Sequence, residues 1–160
     1  MAKTKKKAGL APPGSTLAQN RKALFEYHVL ERFEAGISLL GSEVKSIRDA
    51  KVSLVESFAQ FRGSELYLLG AHVAEYPMAH ARNHDPVRPR KLLLHRRELD
   101  RLDEAVRRQG YTLVPLSIYL KDGRIKVELG LCKGKQVHDK RASLKDRDQK
   151  REIDRALRER

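Results

Sequence analysis

The feature that most constrains the fold is a pair of apolar segments that alternate in polarity and meet at Asp122-Gly123. The residues predicted to share one face are Thr112, Val114, Leu116, Ile118 and Leu120 before the turn, and Ile125, Val127, Leu129 and Leu131 after it. Such alternation is typical of a strand with one buried face, and Asp-Gly favours a two-residue hairpin turn. The segment therefore predicts a long antiparallel hairpin, in which Pro115, lacking a backbone N–H, indicates an edge position or a bulge.

More strands are predicted earlier in the chain. The pattern of residues 23–40 predicts a long bent strand, with Ala35-Gly36 permitting a bulge or a bend. Residues 52–62 and 65–70 are the arms of a predicted hairpin around Gly63-Ser64.

Helices and a loop are predicted between these strands. A short helix is expected from Gly41-Ser42, with Ser42 as its N-cap, and an amphipathic helix at about 96–109 should end at Gly110. The three prolines within 76–90 indicate a loop. Together the elements predict a β-rich α+β domain, and a small closed barrel with flanking helices would leave no strand edge exposed.

The positive charge lies mainly at the two ends of the chain. The net charge is +13, and residues 1–22 contain six basic and no acidic residues. Residues 133–160 contain eleven basic and six acidic residues, whereas residues 23–132 are nearly neutral, with seventeen basic and fifteen acidic. We predict a folded domain over 23–132 between two basic tails, with a polyanion as partner, most simply a nucleic acid.

Composition also bears on location and on chemistry. No apolar run is long enough for a membrane span or a secretory signal, which favours a cytoplasmic protein without a membrane partner. The single cysteine, Cys132, cannot form an internal disulfide. His80 and His84 have a spacing that suits a metal site on a helix, but nearby prolines disfavour a helix there. We therefore predict no metal, no cofactor and no enzyme; a His-dependent RNA enzyme is the catalytic alternative.

Two groups of basic residues suit phosphate binding. The first group is Arg88, Arg90 and Lys91, and the second is Lys45, Arg48 and Lys51. Their alternative interpretation is a solvated surface, but together with the basic tails they favour RNA or DNA binding. No recognition-helix or zinc-finger pattern points to sequence-specific DNA binding, so RNA is the preferred partner.

The C-terminal segment has helical potential. Residues 138–158 contain no glycine or proline, and Asp146/Lys150 and Asp154/Arg158 have the favoured acid-first spacing. Because its apolar face is thin, we expect the tail, residues 133–160, to be disordered when free and helical against RNA.

The sequence resembles a known family, the SsrA-binding proteins, also called small protein B. The matching stretches are Asn20-Arg21-Lys22-Ala23, Glu34-Ala35-Gly36-Ile37, Gly41 to Arg48, Asp85-Pro86, Arg88, Arg90 to Leu94, Glu98-Leu99, Gly110 to Val114, Lys133-Gly134-Lys135 and His138-Asp139-Lys140-Arg141. Each stretch alone is weak, but the ordered set spans about 16–151 and is specific.

The resemblance implies an oligonucleotide-binding-type β-barrel and a role in trans-translation. Members bind the tRNA-like domain of transfer-messenger RNA (tmRNA) and deliver it to stalled ribosomes, with the tail in the decoding centre and the empty messenger channel. The resemblance also implies contact with elongation factor Tu through the shared RNA, and a monomer with one copy per RNA. The alternative function is that of a constitutive ribosome-associated RNA-binding protein.

Two sets of site residues are expected from the basic groups and the resemblance together. The RNA-binding set is Asn20, Arg21, Lys22, Glu34, Lys45, Arg48, Arg88, Arg90, Lys91 and Leu93. The ribosome-binding set is Lys133, Gly134, Lys135, His138, Asp139, Lys140, Arg141 and Lys145, with His138 expected to stack on ribosomal RNA.

Overall fold

The structure, a computed structural model, describes residues 16–158 of the chain. The strands of this part are β1 Thr16–Gln19, β2 Tyr27–Ile37, β3 Val52–Ser53, β4 Phe58–Arg62, β5 Glu65–Leu69, β6 His72–Val73, β7 Arg90–Leu93, β8 Thr112–Lys121 and β9 Arg124–Gly134. The helices are α1 Arg21–Glu26, α2 Gly41–Arg48, a 3-10 helix Pro77–Arg82, α3 Arg96–Gln109 and α4 Val137–Arg158. The basic residues of the N-terminal tail before Thr16 lie outside the described residues.

The strands form one large antiparallel sheet and one small one. The large sheet has the order β1-β8-β4-β5-β7-β2-β9, and β9 pairs in addition with β8. β3 and β6 form a separate two-stranded sheet. With helices flanking the strands, the prediction of a β-rich α+β domain is confirmed.

The predicted central hairpin is present as β8 and β9. Lys121 pairs with Arg124 at its end, and the turn residues Asp122 and Gly123 both have positive φ, 52° and 73°. These angles suit the tight turn that Asp-Gly favours. On β9 the four predicted core residues, Ile125, Val127, Leu129 and Leu131, all pack in the main core.

The first strand of this hairpin differs from the prediction. Its pairing with β9 shifts between Pro115 and Ser117, so the bulge indicated by Pro115 is confirmed, but β8 is not an edge strand. The extra residue reverses the alternation. Leu113 and Ile118 therefore face the main core, whereas Val114 and Leu116 belong to a second small cluster on the other side.

That second cluster explains the N-terminal segment. Residues 21–26 form α1 rather than the beginning of a long strand, and Ala23 of α1 packs on Val114 and Cys132. β1 pairs with β8, so the ordered sheet includes residues before the expected boundary at 23. In β2, the pairing register with β9 shifts between Val29 and Glu31, so the bulge lies there and not at Ala35-Gly36.

The remaining predicted elements are present with small corrections. β4 and β5 form the expected hairpin, although 54–57 does not continue the strand from β3. α3 ends at Gly110 in the left-handed conformation, as predicted. The helix α2 has Leu40 as its N-cap rather than Ser42, whose hydroxyl contacts His84 instead. The predicted loop 76–90 contains the 3-10 helix.

The apolar core combines residues of the large sheet with Ile47 of α2, Val73 of β6 and Leu102 of α3. Its buried residues include Leu66, Leu68, Leu92, Leu102 and Leu129, with Leu102 contributed by α3. None of the helices between residues 16 and 158 is long and apolar enough to cross a membrane.

Candidate nucleic-acid interface

The end of the β8–β9 hairpin places a carboxylate among cations. Glu34 of β2 accepts a 2.7 Å hydrogen bond from the Tyr119 hydroxyl and bonds of 3.1 and 3.2 Å from the Lys121 ammonium. The Tyr119 bond is the main cause that lowers the pKa of Glu34; burial opposes the shift, and Lys121 adds to it. The carboxylate therefore stays ionised at neutral pH.

Further cations surround this carboxylate. Lys121, Arg124 and Lys126 line a shallow pocket together with Glu34 and Asp122. Arg48 of α2 reaches the same turn, where its guanidinium donates to the Gly123 carbonyl at 3.3 Å. We call Arg48, Lys121, Arg124 and Lys126 the hairpin-end patch. Its four positive charges outnumber the two carboxylates, so it suits phosphate groups.

Other predicted RNA-binding residues lie on α2 and β7. The Lys45 ammonium lies 5.3 Å from the centre of the Tyr76 ring. Leu93 is 50% exposed and is paired with Gly36 of β2, so the expected apolar contact point is accessible. Lys91 is paired with Glu65 at 2.6 Å, and Glu65 also accepts from the Tyr67 hydroxyl.

Arg88 and Arg90 have a different environment from their neighbour Lys91. Glu43 of α2 is fully buried and accepts from the Nε of both arginines, at 2.6 Å from Arg88 and 2.9 Å from Arg90. Arg90 is 0% exposed, and its remaining donors bond the carbonyls of Ala71, Asp85 and Pro86. The expected contact between Arg90 and RNA does not fit this structure, because its guanidinium is sealed in the protein.

Asn20 is also a structural residue. It is buried, its Oδ1 caps α1 by accepting from the Ala23 N–H, and its Nδ2 donates to the carbonyls of Leu54 and Pro115, all at 3.1 Å. The Asn20 side chain is therefore not accessible for the expected contact with RNA. Its hydrogen bonds hold the first turn of α1 in place. Arg21 in that turn is exposed, and Lys22 forms an ion pair with Glu56.

The tail leaves the domain at the opposite end of the hairpin. Lys133 pairs with His28 at the end of β9, followed by the exposed Gly134. Lys135 donates to the Leu24 carbonyl at 3.4 Å and to the Ser143 hydroxyl at 3.1 Å. Lys135 thereby links the first two turns of α4 to α1.

Asp139 makes a second link between α4 and the domain. His28 Nε2 lies 3.4 Å from the Asp139 carboxylate, and this hydrogen bond is the main cause that lowers the pKa of Asp139. The neighbouring His138 is largely exposed, with its Nε2 3.2 Å from the same carboxylate. The imidazole of His138 is therefore accessible to a stacking partner.

The rest of α4 exposes its charges. None of its residues is buried, and the Arg147 guanidinium over the Phe25 ring, at 5.5 Å, is a further contact with α1. Among residues 16–158, no lysine or arginine of α4 forms an ion pair with a carboxylate. Lys140, Arg141 and Lys145 are therefore unpaired there, and the predicted pairs Asp146/Lys150 and Asp154/Arg158 do not form. These cations are available to a polyanion.

The structure adds site residues that the sequence patterns did not indicate. Tyr119, Lys121, Arg124 and Lys126 join the predicted Glu34 and Arg48 at one site. A sequence signal was present for two of them, because Lys121 and Arg124 flank the predicted Asp122-Gly123 turn and must lie together at its end. Tyr119 had no such signal, because its side-chain direction depends on the bulge at Pro115.

Comparison with known proteins identifies the family. The family model described as "SmpB protein" matches residues 17–159, nearly the whole chain. The chain belongs to the SmpB family. Similar SmpB-family proteins include the SsrA-binding proteins of Thermobifida fusca (strain YX), 50% identical over 98% of this chain and 98% of the relative, and of Corynebacterium glutamicum (strain R), 52% identical over 98% and 94%.

A further relative and a solved structure agree with this assignment. The SsrA-binding protein of Staphylococcus haemolyticus (strain JCSC1435) is 48% identical over 100% of this chain and 99% of its own length. A solved structure described as "tmRNA-SmpB: a journey to the center of the bacterial ribosome" matches with a TM-score of 0.62 and 50% identity, covering 74% of this chain and 84% of the other. The SmpB fold and sequence are therefore shared over most of the chain.

Proposed function

We propose that this SmpB-family chain is the RNA-binding adaptor of trans-translation. It binds the tRNA-like domain of tmRNA, the SsrA RNA, and delivers that RNA to stalled bacterial ribosomes. The observation that carries the proposal is the match at 50% identity over 98% of both chains to an SsrA-binding protein. The role is one of binding, not of catalysis.

The finer form of the fold belongs to the same proposal. We take the strands to form a closed barrel of the oligonucleotide-binding type. The pairing of β9 with both β2 and β8 supports this, because it closes a ring of six strands in the large sheet. Around this ring the strand order is β8, β4, β5, β7, β2 and β9. Barrels of this type commonly bind oligonucleotides on their outer surface.

Two surfaces at opposite ends of the β8–β9 hairpin divide the work. The hairpin-end patch is assigned to tmRNA, together with the predicted residues Lys45, Lys91 and the exposed Leu93. The tail, residues 133–160, is assigned to the ribosome. β8 has 10 residues, which separates the two ends by roughly 30 Å at the usual rise per residue. One molecule can thus contact two RNA partners at once.

The tail suits a vacant, negatively charged groove. No residue of α4 is buried, and within residues 16–158 none of its lysines or arginines pairs with a carboxylate. We propose that it lies, as the helix α4, in the decoding centre and in the messenger channel downstream. Because messenger RNA would occupy the same groove, binding of the tail selects ribosomes without it.

Three further assignments follow from this function: a partner, a stoichiometry and a location. Elongation factor Tu joins through the shared tmRNA, the protein acts as a monomer with one copy per RNA, and its location is the cytoplasm with the ribosomes. Neither a metal nor a cofactor is required.

Sequencing the RNA that copurifies with the protein tests the main assignment. A dominant tRNA-like species is the expected result. Bulk ribosomal RNA without that species would instead identify a constitutive ribosome-associated protein and would overturn the proposal.

A second experiment tests the division into two surfaces. Lys140→Ala combined with Arg141→Ala should leave the affinity for tmRNA unchanged within about twofold, while peptide tagging on stalled ribosomes falls at least tenfold, about 1.4 kcal/mol. The matched control is Arg107→Ala with Arg108→Ala on α3, where each arginine is already paired with a carboxylate. Equal loss of RNA affinity and tagging would contradict the separation.

A further inference from the structure

We infer that Glu34 is a positioning residue for RNA binding: it holds the Lys121 ammonium at the hairpin-end patch, and Tyr119 holds Glu34. This inference deepens the proposed function and rests on it, since it assumes that this face of the domain binds tmRNA. It assigns the contact with the RNA phosphate to Lys121 rather than to the carboxylate.

Hydrogen bonds within the protein occupy both carboxylate oxygens of Glu34. Oε2 accepts from the Tyr119 hydroxyl at 2.7 Å and from Lys121 Nζ at 3.1 Å, and Oε1 accepts from the same Nζ at 3.2 Å. Both oxygens therefore already have a partner within the protein. An ammonium group has three donors, so Lys121 retains a donor for another acceptor.

The charge of Glu34 is a further argument. An ionised carboxylate repels phosphate, and Glu34 contributes one of the two negative charges among the four cations of the patch. A direct role with a phosphate is therefore unfavourable for Glu34. A role through Lys121 is favourable, because the side chain of lysine is a flexible four-carbon stem that loses rotamer freedom when it binds. Glu34 restricts that freedom before the RNA arrives.

Tyr119 provides the rigid support for this arrangement. The residue is 7% exposed and lies on β8, between β1 and β9 in the sheet. Burial, together with the neighbouring Glu34, raises the pKa of Tyr119, so the hydroxyl keeps the proton that it donates. Lys121 is two residues further along the same strand and reaches the same carboxylate.

A double-mutant cycle distinguishes positioning from direct contact. The variants are Glu34→Gln, Lys121→Gln and the two combined, and the measurement is the dissociation constant for a transcript of the tRNA-like domain over a series of salt concentrations. We expect each single variant to weaken binding by about three- to tenfold and Lys121→Gln to reduce the salt slope by about 0.7–0.9, the value for one phosphate contact. The double variant should match Lys121→Gln within about twofold.

The opposite result would overturn the inference. If Glu34→Gln weakens binding by the same factor with and without Lys121, the carboxylate contacts the RNA itself. Tyr119→Phe, which removes only the hydroxyl, provides a second route to the same answer: its effect should be present in the wild-type background and absent in the Lys121→Gln background. An effect that persists in that background contradicts the chain of contacts.

Matched controls separate this inference from the proposed function. Glu104→Gln on α3 makes the same chemical change to a carboxylate that pairs with Arg108 at 3.1 Å, away from the patch, and should change neither the affinity nor the salt slope. Circular dichroism verifies that each variant is folded. If the wild-type protein shows no preference for the tRNA-like transcript over an unrelated RNA, the proposed function fails; if it does show the preference but the cycle is additive, only this inference fails.

Discussion

Replacement of Glu43 by glutamine should destabilise the domain strongly, because two arginines depend on this one carboxylate. Glu43 is fully buried and receives hydrogen bonds from Arg88 at 2.6 and 2.7 Å, from Arg90 at 2.9 Å and from the Leu40 N–H at 2.9 Å. Glutamine has nearly the same shape but no charge. The substitution would therefore leave the guanidinium of Arg90 buried without a counter-charge.

The size of the effect follows from this burial. Removal of one partner from a buried ion pair costs about 3–5 kcal/mol, a large share of the roughly 5–15 kcal/mol by which domains are stable. At about 2–4 °C per kcal/mol for a chain of this size, the melting temperature should fall by roughly 6–20 °C. The Arg88 side chain is 29% exposed and can relax into water, so we expect the lower half of these ranges.

Urea unfolding followed by far-ultraviolet circular dichroism measures this loss. The matched control is Glu65→Gln, which removes a carboxylate that bonds Lys91 and Tyr67 but is 44% exposed. Exposed pairs contribute at most about 1 kcal/mol, so the control should remain close to the wild type. Equal destabilisation by the two variants, or a loss below about 1 kcal/mol for Glu43→Gln, would refute the reasoning that Arg88 and Arg90 serve the fold through Glu43.

Three other predictions concern stability and reactivity. Asn20→Ala should cost about 2–3 kcal/mol in urea unfolding, because it removes an N-cap and two buried hydrogen bonds; a loss below about 0.5 kcal/mol would show that α1 does not need them. Burial raises the pKa of Cys132 to about 11 from 9.0, so at about pH 8 iodoacetamide should alkylate the native protein at least about a hundredfold more slowly than the unfolded chain; similar rates would contradict the burial of this thiol. Burial acts to raise the pKa of Glu43, but the hydrogen bonds from Arg88 and Leu40 and the charge of Arg90 outweigh it and leave the pKa below its ordinary 4.5. The stabilisation from Glu43 is therefore complete above about pH 4.5 and is lost as the pH falls through the lower pKa of the folded state. Between about pH 6 and pH 3, the urea midpoint should therefore decline more in the wild type than in Glu43→Gln.

Local sequence patterns predict the turn of the central hairpin and the core face of β9, but not the core face of β8. Asp122-Gly123 predicts the turn because both residues tolerate positive φ, and the alternation after it predicts the core face of β9 correctly. The alternation before the turn predicts wrongly that Val114 and Leu116 share the face of Ile118, which packs in the main core. The bulge after Pro115 inserts one residue, and no local pattern states on which side the alternation resumes.

The candidate site was predictable in part for a related reason. Lys121 and Arg124 adjoin a turn that the sequence predicts, so their proximity follows from the hairpin alone. Arg90 and Lys91 are adjacent and alike in sequence, yet Arg90 is sealed in the protein and Lys91 is on the surface. The difference depends on Glu43, which lies 47 residues earlier in the chain, and such a pairing depends on the tertiary fold.

The sequence by itself determined the family of the chain, its sheet-rich class, its turns and the concentration of charge at its ends, because these depend on residue types and short spacings. Only the tertiary structure decided which polar residues serve the fold and which face a partner. Asn20 and Arg90 are buried with their donors bonded within the protein, whereas Lys121, Arg124 and Lys126 meet at an open pocket. The physical reason is that the burial and hydrogen-bond partners of a polar group are set by strands and helices distant in sequence.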